Sequence, residues 1–530
     1  MADTTHFPPG TLYLERILDA RNAEVVLHPI PSTDVNDPLN WPKWYKALNF
    51  ALVCYYTLMV FVALDIGTVI YGQLNSDLGI SFEVCNISFG INTAGLAVGC
   101  ILFIPFALKF GRRPVYLMSI AVSLATCIWQ GKMQTSGDLL GSNLVSGLAG
   151  ATAETICQMT IADIFFVHQR GTANAVYLFM VNIGAFLSLI PAGYIAESQG
   201  WRWIWWWSSI LLGVCLLLFL FFYEDTKYIP ITYGVQPTDN DDMERSVSAP
   251  EQDLKGLPQI TATHSRILDS TIPRKSYLQR LALINNTPGW HTFFRHMYQP
   301  FMVLVTFPAI TFSALTYGSL LAWFSMVVTT YSVYFTMPPY NFGSEGVGLM
   351  NLPSFIGGLL GSIFAGLVTD RSIIWLARRN GGVFEPEMRL WTALPAVVIM
   401  PFALLWFGFT IADGDAWIVP AVALGFFGFG WVILGDVALT YAMDSYTDIV
   451  GDAFIGIVFI RNVFATIIAT TLTQWTDGIG LKNVFVMGTV LALALSLLAI
   501  PMMIWGKRMR VWTKDRYAVF AARQYAARAE

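Results

Sequence analysis

The sequence predicts an all-α membrane protein of twelve transmembrane helices in two six-helix halves. Three observations carry that prediction. The 530 residues are 55% hydrophobic and only 12% charged, where a soluble domain carries about 25% charged residues. The apolar residues gather into twelve runs near the ~20 residues that a helix needs to cross a hydrocarbon core of about 30 Å. The lysines and arginines between those runs fall almost wholly on alternate connections.

The runs are 46–70, 87–108, 114–131, 139–162, 173–195 and 203–223 in the first half, and 301–328, 346–368, 391–411, 416–443, 453–473 and 483–506 in the second. The third run is the least distinct, because only a tight turn separates it from the second. Residues 1–45 form an N-terminal segment whose first 40 residues are polar, and no apolar h-region opens the chain, so the N-terminus does not read as a secretory signal. Residues 224–300 mix both charge signs with Asp, Pro, Ser and Thr. They read as a linker with a short amphipathic helix near 275–284. The tail 507–530 is basic and aromatic and is expected along the inner membrane surface.

Twelve crossings put both ends of the chain on one side. That side then carries Lys43, Lys46, Lys109, Arg112, Arg113, Arg170, Arg274, Lys275, Arg280, Arg295, Arg371, Arg378, Arg379, Arg389, Lys507, Arg508 and Arg510, among others. The opposite side carries Lys132, Arg202 and Lys482. The positive-inside rule makes the first side cytoplasmic. A wrong count in either half would scramble this pattern.

Several function classes are excluded. A net charge of -4 gives no basic face for nucleic acid. Gly428 and Gly430 complete neither a dinucleotide nor a phosphate-binding loop, so no nucleotide is expected and energy should come from an ion gradient. The cysteines (Cys54, Cys85, Cys100, Cys127, Cys157, Cys215) form no CxxC pair and read as small apolar packing residues. No metal or cofactor is expected. The six histidines lie outside the runs and no catalytic signature appears, so an enzyme is not expected.

Charge inside a span is costly, which makes each such residue a functional candidate. Asp65 lies in span 1 toward its outer half, Glu154 in span 4, Asp436 in span 10 and Arg461 in span 11. A carboxylate in a medium of low dielectric takes and releases a proton near neutral pH, and a cationic substrate can replace that proton. For Glu154 and Asp65, both this role and a structural bond to a neighbouring helix are open. Asp436 and Arg461, read as nearer the cytoplasmic ends, suggest structural pairing first. Gly184, Pro191 and Gly193 in span 5 are candidates for helix bending. Glycines in spans 8 and 10, among them Gly357, Gly358, Gly361, Gly366 and Gly425, read as packing positions. Trp201, Trp203, Trp205, Trp206 and Trp207 read as an interfacial belt at the outer start of span 6.

The loop Lys109-Phe110-Gly111-Arg112-Arg113-Pro114 after span 2 has a counterpart after span 8, Gly366 to Asp370-Arg371. This paired signature resembles the major facilitator superfamily. DPLNWPKWYK at 37–46, ADIFFVHQRG at 162–171 and GWRWIWWW at 200–207 resemble its fungal drug:proton antiporter-1 branch, near the yeast-type polyamine and cation facilitators. ARRNGG with EPEMRL at 377–390, and DSYTDIVGDA with IRN at 444–462, point the same way. The resemblance implies a proton-coupled carrier of small organic molecules in the plasma membrane, acting as a monomer with a central cavity between rocking halves. It implies that Gly111, Arg112, Arg113, Asp163, Asp370 and Arg371 serve as cytoplasmic gating residues, with Arg112 or Arg113 paired to an acid such as Asp163. Three departures weigh against antiport. Leu108 stands where the family has Asp, Asn143 where drug antiporters have Arg in span 4, and Ser188-Leu189 where they have Gly-Pro in span 5. Export of a metabolite or drug is the leading expectation, and import of polyamine-like cations the alternative. A receptor on the same fold would be expected to carry a longer tail.

Overall fold

The computed structural model describes residues 8–13, 34–165, 167–228, 276–282 and 290–522. We number the long helices α1 to α12. The first six are α1 (Lys43–Leu78), α2 (Phe82–Phe110), α3 (Arg112–Gly131), α4 (Ser136–Ile164), α5 (Val167–Asn182, continuing to Gln199) and α6 (Arg202–Phe222). The last six are α7 (Pro308–Tyr334), α8 (Ser344–Arg379), α9 (Pro386–Asp413), α10 (Ile418–Ser445), α11 (Thr447–Ile479) and α12 (Leu481–Trp512). Among the described residues, eleven of these helices are long and apolar enough to cross a membrane. The twelfth, α4, has 29 residues and falls short only in hydropathy, because Gly, Ala, Ser and Thr replace larger apolar side chains along it. The chain is a multi-pass membrane protein.

Small residues explain why α4 is central. A Cβ on Gly147 would lie 2.0 Å from the Asn92 carbonyl oxygen of α2, and one on Gly95 would lie 2.6 Å from the Leu144 carbonyl oxygen. Backbones therefore pack where side chains would otherwise stand. The second set of helices repeats the device, with Gly357 of α8 against Gly425 of α10 and Gly428 of α10 against Ser354. One hydrophobic core runs from Leu52 to Tyr223 and a second from Val303 to Phe520. Val458 of α11 joins the first core, and Phe89, Ala185 and Phe186 join the second, so the two bundles share a packed seam.

The described residues nearest the two ends of the chain, 8–13 and the end of α12, meet on one side of the bundle, called here the terminal side. Strand β1 (Leu12–Tyr13) pairs antiparallel with β2 (Val383–Phe384) in the α8–α9 connection. Arg510, fully buried near the end of α12, donates to the Pro9 carbonyl and, at 3.1 Å, to Thr11 Oγ1. On the opposite side the bundles meet closely. Gly193 of α5 packs on the Ser344 backbone, Gly348 of α8 on the Leu189 carbonyl, and Gly72 of α1 on Thr336.

Four expectations are refined. The linker was expected to run to Pro300, but a helix already spans Trp290–Thr306, and α7 begins at Pro308, because proline suits the first turn of a new helix. Within 275–284 the described part is one turn, Tyr277–Arg280. The tryptophan belt is divided. Trp201 and Trp205 are buried, with Trp201 Nε1 donating to Asp77 at 3.1 Å, while Trp203 and Trp207 stay exposed. Arg461 is not near a helix end but in the middle of α11.

Candidate functional site

Glu154, on α4, projects into the seam between the bundles. Its carboxylate accepts from Arg461 and, at 2.9 Å, from Asn462 Nδ2, both on α11. Arg461 also donates to the Tyr317 hydroxyl of α7 at 3.0 Å. Cys100 Sγ of α2 lies 4.0 Å from Glu154 Oε2. Glu154 and Asn462 are buried, and the Arg461 side chain is nearly so. A lone charge at such depth costs about 2.5–3.5 kcal/mol or more, so pairing is what makes these residues tolerable there. The pair links helices from opposite bundles at mid-span.

Asp65 ends the regular part of α1, where the helix tightens into a 3-10 turn over Ile66–Ile70. It is buried and interacts electrostatically with Arg461. The seam thus holds two carboxylates, Asp65 and Glu154, against one guanidinium. Beside it, Phe186 of α5 meets Phe324 of α7 edge to face at 5.3 Å and Trp431 of α10 at 6.1 Å. Asp436 is half-buried on α10, nearer the end that leads to the terminal side.

The bending candidates separate into different jobs. Pro191 cannot donate to the Leu187 carbonyl four residues earlier, and a π turn at Ile183–Leu187 precedes it. Gly184 lies in that turn against Phe61 of α1. Gly193 serves the close contact with Ser344.

Four of the gating candidates, Gly111, Arg112, Arg113 and Asp163, cluster on the terminal side of the first bundle. Gly111 joins α2 to α3 at φ 105°, and a Cβ there would lie 2.2 Å from Asp225 Oδ2. Glycine is required on both counts. Arg112 Nε lies 3.0 Å from Asp163 Oδ2 at the end of α4, and its backbone N–H donates to Asp225 Oδ1 at 3.0 Å. Arg113 instead donates to the carbonyls of Leu220, at 2.8 Å, and Leu281. Arg371 is exposed on α8, and the side chain of Asp370 lies outside the described residues. In the second bundle, pairs at this side include Arg389 with Asp444, Glu387 with Arg510 and Lys507 with Glu385. Just past α6, burial pushes the Glu224 carboxyl up to about 7 against the pull of Arg280. Burial, with Arg112 nearby, holds the Lys227 amine down at about 8.

Tyr317, Cys100 and Glu224 were not singled out from sequence. Asn462 was present only inside the IRN motif. Polar residues within apolar runs are common as helix-packing groups, and only the fold brings Cys100 and Asn462 to the Glu154 carboxylate and Tyr317 to Arg461.

The Major Facilitator Superfamily profile matches residues 50–463. The chain belongs to this family. Among its relatives, an uncharacterized MFS-type transporter of Schizosaccharomyces pombe is 32% identical, covering 97% of this chain and 94% of the relative. Protein HOL1 of Saccharomyces cerevisiae is 29% identical over 96% of this chain and 94% of its own length. MFS transporter cpaT of Aspergillus oryzae is 26% identical over 92% of each. The solved structure of the proton:xylose symporter XylE aligns with a TM-score of 0.54 at 13% identity, covering 87% of this chain and 96% of XylE. The relatives are of fungal type. This facilitator is a membrane transporter of small molecules and not an enzyme.

Proposed function

We propose that this facilitator is a proton-coupled secondary transporter that exports a small organic molecule, a secondary metabolite or drug-like compound, across the plasma membrane. The observation that carries the proton coupling is the Glu154 carboxylate held between bundles by Arg461 and Asn462. Protonation of Glu154 removes the charge that Arg461 grips. The link across the seam weakens, and one bundle is free to rock against the other. Rebinding of Arg461 restores the link when the proton leaves. The excess of Lys and Arg on the terminal side supports a cytoplasmic placement of both ends. Relatives named as efflux pumps, such as FUBT of Fusarium oxysporum, support the export direction.

A second reading is import of polyamine-like or other organic cations. One observation favours it: the seam holds two acids, Asp65 and Glu154, beside Arg461. A cation can take the place of a proton on Asp65, and Phe186, Phe324 and Trp431 offer aromatic faces close by.

The test is transport in reconstituted vesicles with an imposed pH gradient, comparing labelled spermidine with a hydrophobic organic cation. Gradient-driven accumulation that vanishes in Glu154→Gln supports coupling at this residue. Accumulation that survives in Glu154→Gln would refute it. Spermidine moving down the proton gradient selects import, and the hydrophobic cation moving against it selects export.

A further inference from the structure

The segment that joins the two bundles touches the first again before it reaches the second. Its described part, residues 276–282, forms one helical turn in which Ser276 and Gln279 cap each other. Three side chains hold this turn to the first bundle. Arg280 pairs with Glu224 at 3.3 Å and donates to the Tyr45 hydroxyl at 3.3 Å. Arg113, at the start of α3, donates to the Leu281 carbonyl. Tyr277 donates from its hydroxyl to the Phe221 carbonyl at the end of α6. Glu224 is itself fixed, because its backbone N–H donates to Asn49 Oδ1 of α1 at 3.1 Å.

The consequence follows from chain length. Only residues 283–289 separate this docked turn from Trp290, which opens the helix leading into α7. Seven residues reach at most about 25 Å. If the turn lets go, the seven-residue limit no longer holds, because the chain between the described ends then counts residues 229–289. The near end of the second bundle is also held directly. Lys109 Nζ lies 3.0 Å from the centroid of the Trp290 ring, and Phe293 meets Phe106 edge to face at 5.2 Å.

We infer that residues 276–282 act as a clasp: docked on Glu224 and Arg113, they keep the terminal-side ends of the two bundles close, and their release lets those ends separate. This assigns Arg113 a different task from its neighbour. Arg112 braces the first bundle internally through Asp163, whereas Arg113 holds the linker. A restraint of this kind acts on the relative population of the rocked states, since a short tether excludes the widely separated ones and a long tether does not.

The test reads position rather than transport, so its failure is distinguishable from failure of the proton-coupled reading. All six native cysteines are buried. Lys43→Cys and Arg378→Cys replace exposed residues on opposite bundles and accept spin labels. The distance distribution between them is measured by pulsed electron resonance in nanodiscs. A separate Leu281→Cys variant reports docking through its rate of reaction with a polar maleimide. Arg280→Glu is expected to speed that reaction several-fold and to extend the distance distribution to longer values. The exchanged pair Glu224→Arg with Arg280→Glu is expected to restore both. Tyr277→Phe, which leaves Glu224 and Arg280 intact, is expected to move both readouts in the same direction by less. The inference is overturned if Leu281→Cys stays protected in Arg280→Glu and Tyr277→Phe. It is overturned equally if the turn is released and the distance distribution does not change.

Discussion

Asn462 Nδ2 of α11 stands 2.9 Å from Glu154 Oε2 of α4, and the Arg461 guanidinium grips the other oxygen of the same carboxylate. Glu154 therefore meets two adjacent donors from the opposite bundle.

Removing one member of this pair should cost more than removing both. Arg461→Leu leaves Glu154 buried without its cation, and loss of one partner of a buried pair costs about 3–5 kcal/mol. Glu154→Gln with Arg461→Leu should be milder than Arg461→Leu alone, with a coupling between the two changes of about 0.5–3 kcal/mol. Thermal unfolding of the four proteins in detergent measures the cycle. Additive losses would mean that the two side chains do not depend on each other.

The α2–α4 contact leaves no room for a side chain at Gly147. Gly147→Ala should destabilise by about 1–3 kcal/mol through overpacking. Gly366→Ala is the control, since a Cβ there meets nothing within 4 Å. The melting temperature of the first should fall and that of the second should hold.

Glu224 predicts a pH dependence of stability. Its carboxyl is raised to about 7 by burial, above the ~4.3 of a free glutamate. The folded protein thus binds this proton more tightly than the unfolded chain. The contribution to stability is full below the unfolded value and is lost as pH rises through about 7. Glu224→Gln should flatten the fall in melting temperature between about pH 4.3 and 7, and an unchanged slope would remove Glu224 as its source.

Arg510 is fully buried and bonded to Glu387 at 2.9 and 2.7 Å. Glu387→Ala should destabilise the second bundle by about 3–5 kcal/mol. Gly10→Val should act differently. Gly10 has a positive φ, and a Cβ there would lie 2.2 Å from the Asp444 carbonyl oxygen. The variant should detach β1 and speed protease cleavage near residue 12, with little change in the melting temperature.

The twelve spans were legible because hydrocarbon imposes a length and a low charge content on every crossing helix. The fourth span, α4, low in hydropathy, was still read as a run over 139–162. Glu154 and Asp65 stood out for the same reason, as acids in apolar surroundings. Arg461 stood out too, yet its depth was misjudged, because α11 extends from Thr447 to Ile479 and not only over its most apolar stretch. The Arg112–Asp163 contact could be anticipated only through the family resemblance. The partners of Arg113 are backbone carbonyls, which carry no mark in the sequence.

By itself, then, the sequence determined the run of long apolar helices, the alternate connections that carry the basic residues, and which buried charges need a partner. These depend on local composition and on the energy of transferring single groups into lipid. Which partner each charge takes was decided by tertiary structure alone. Glu154 and Arg461 lie 307 residues apart, and only the close approach of two glycine-lined bundles brings an acid of α4 to a base of α11.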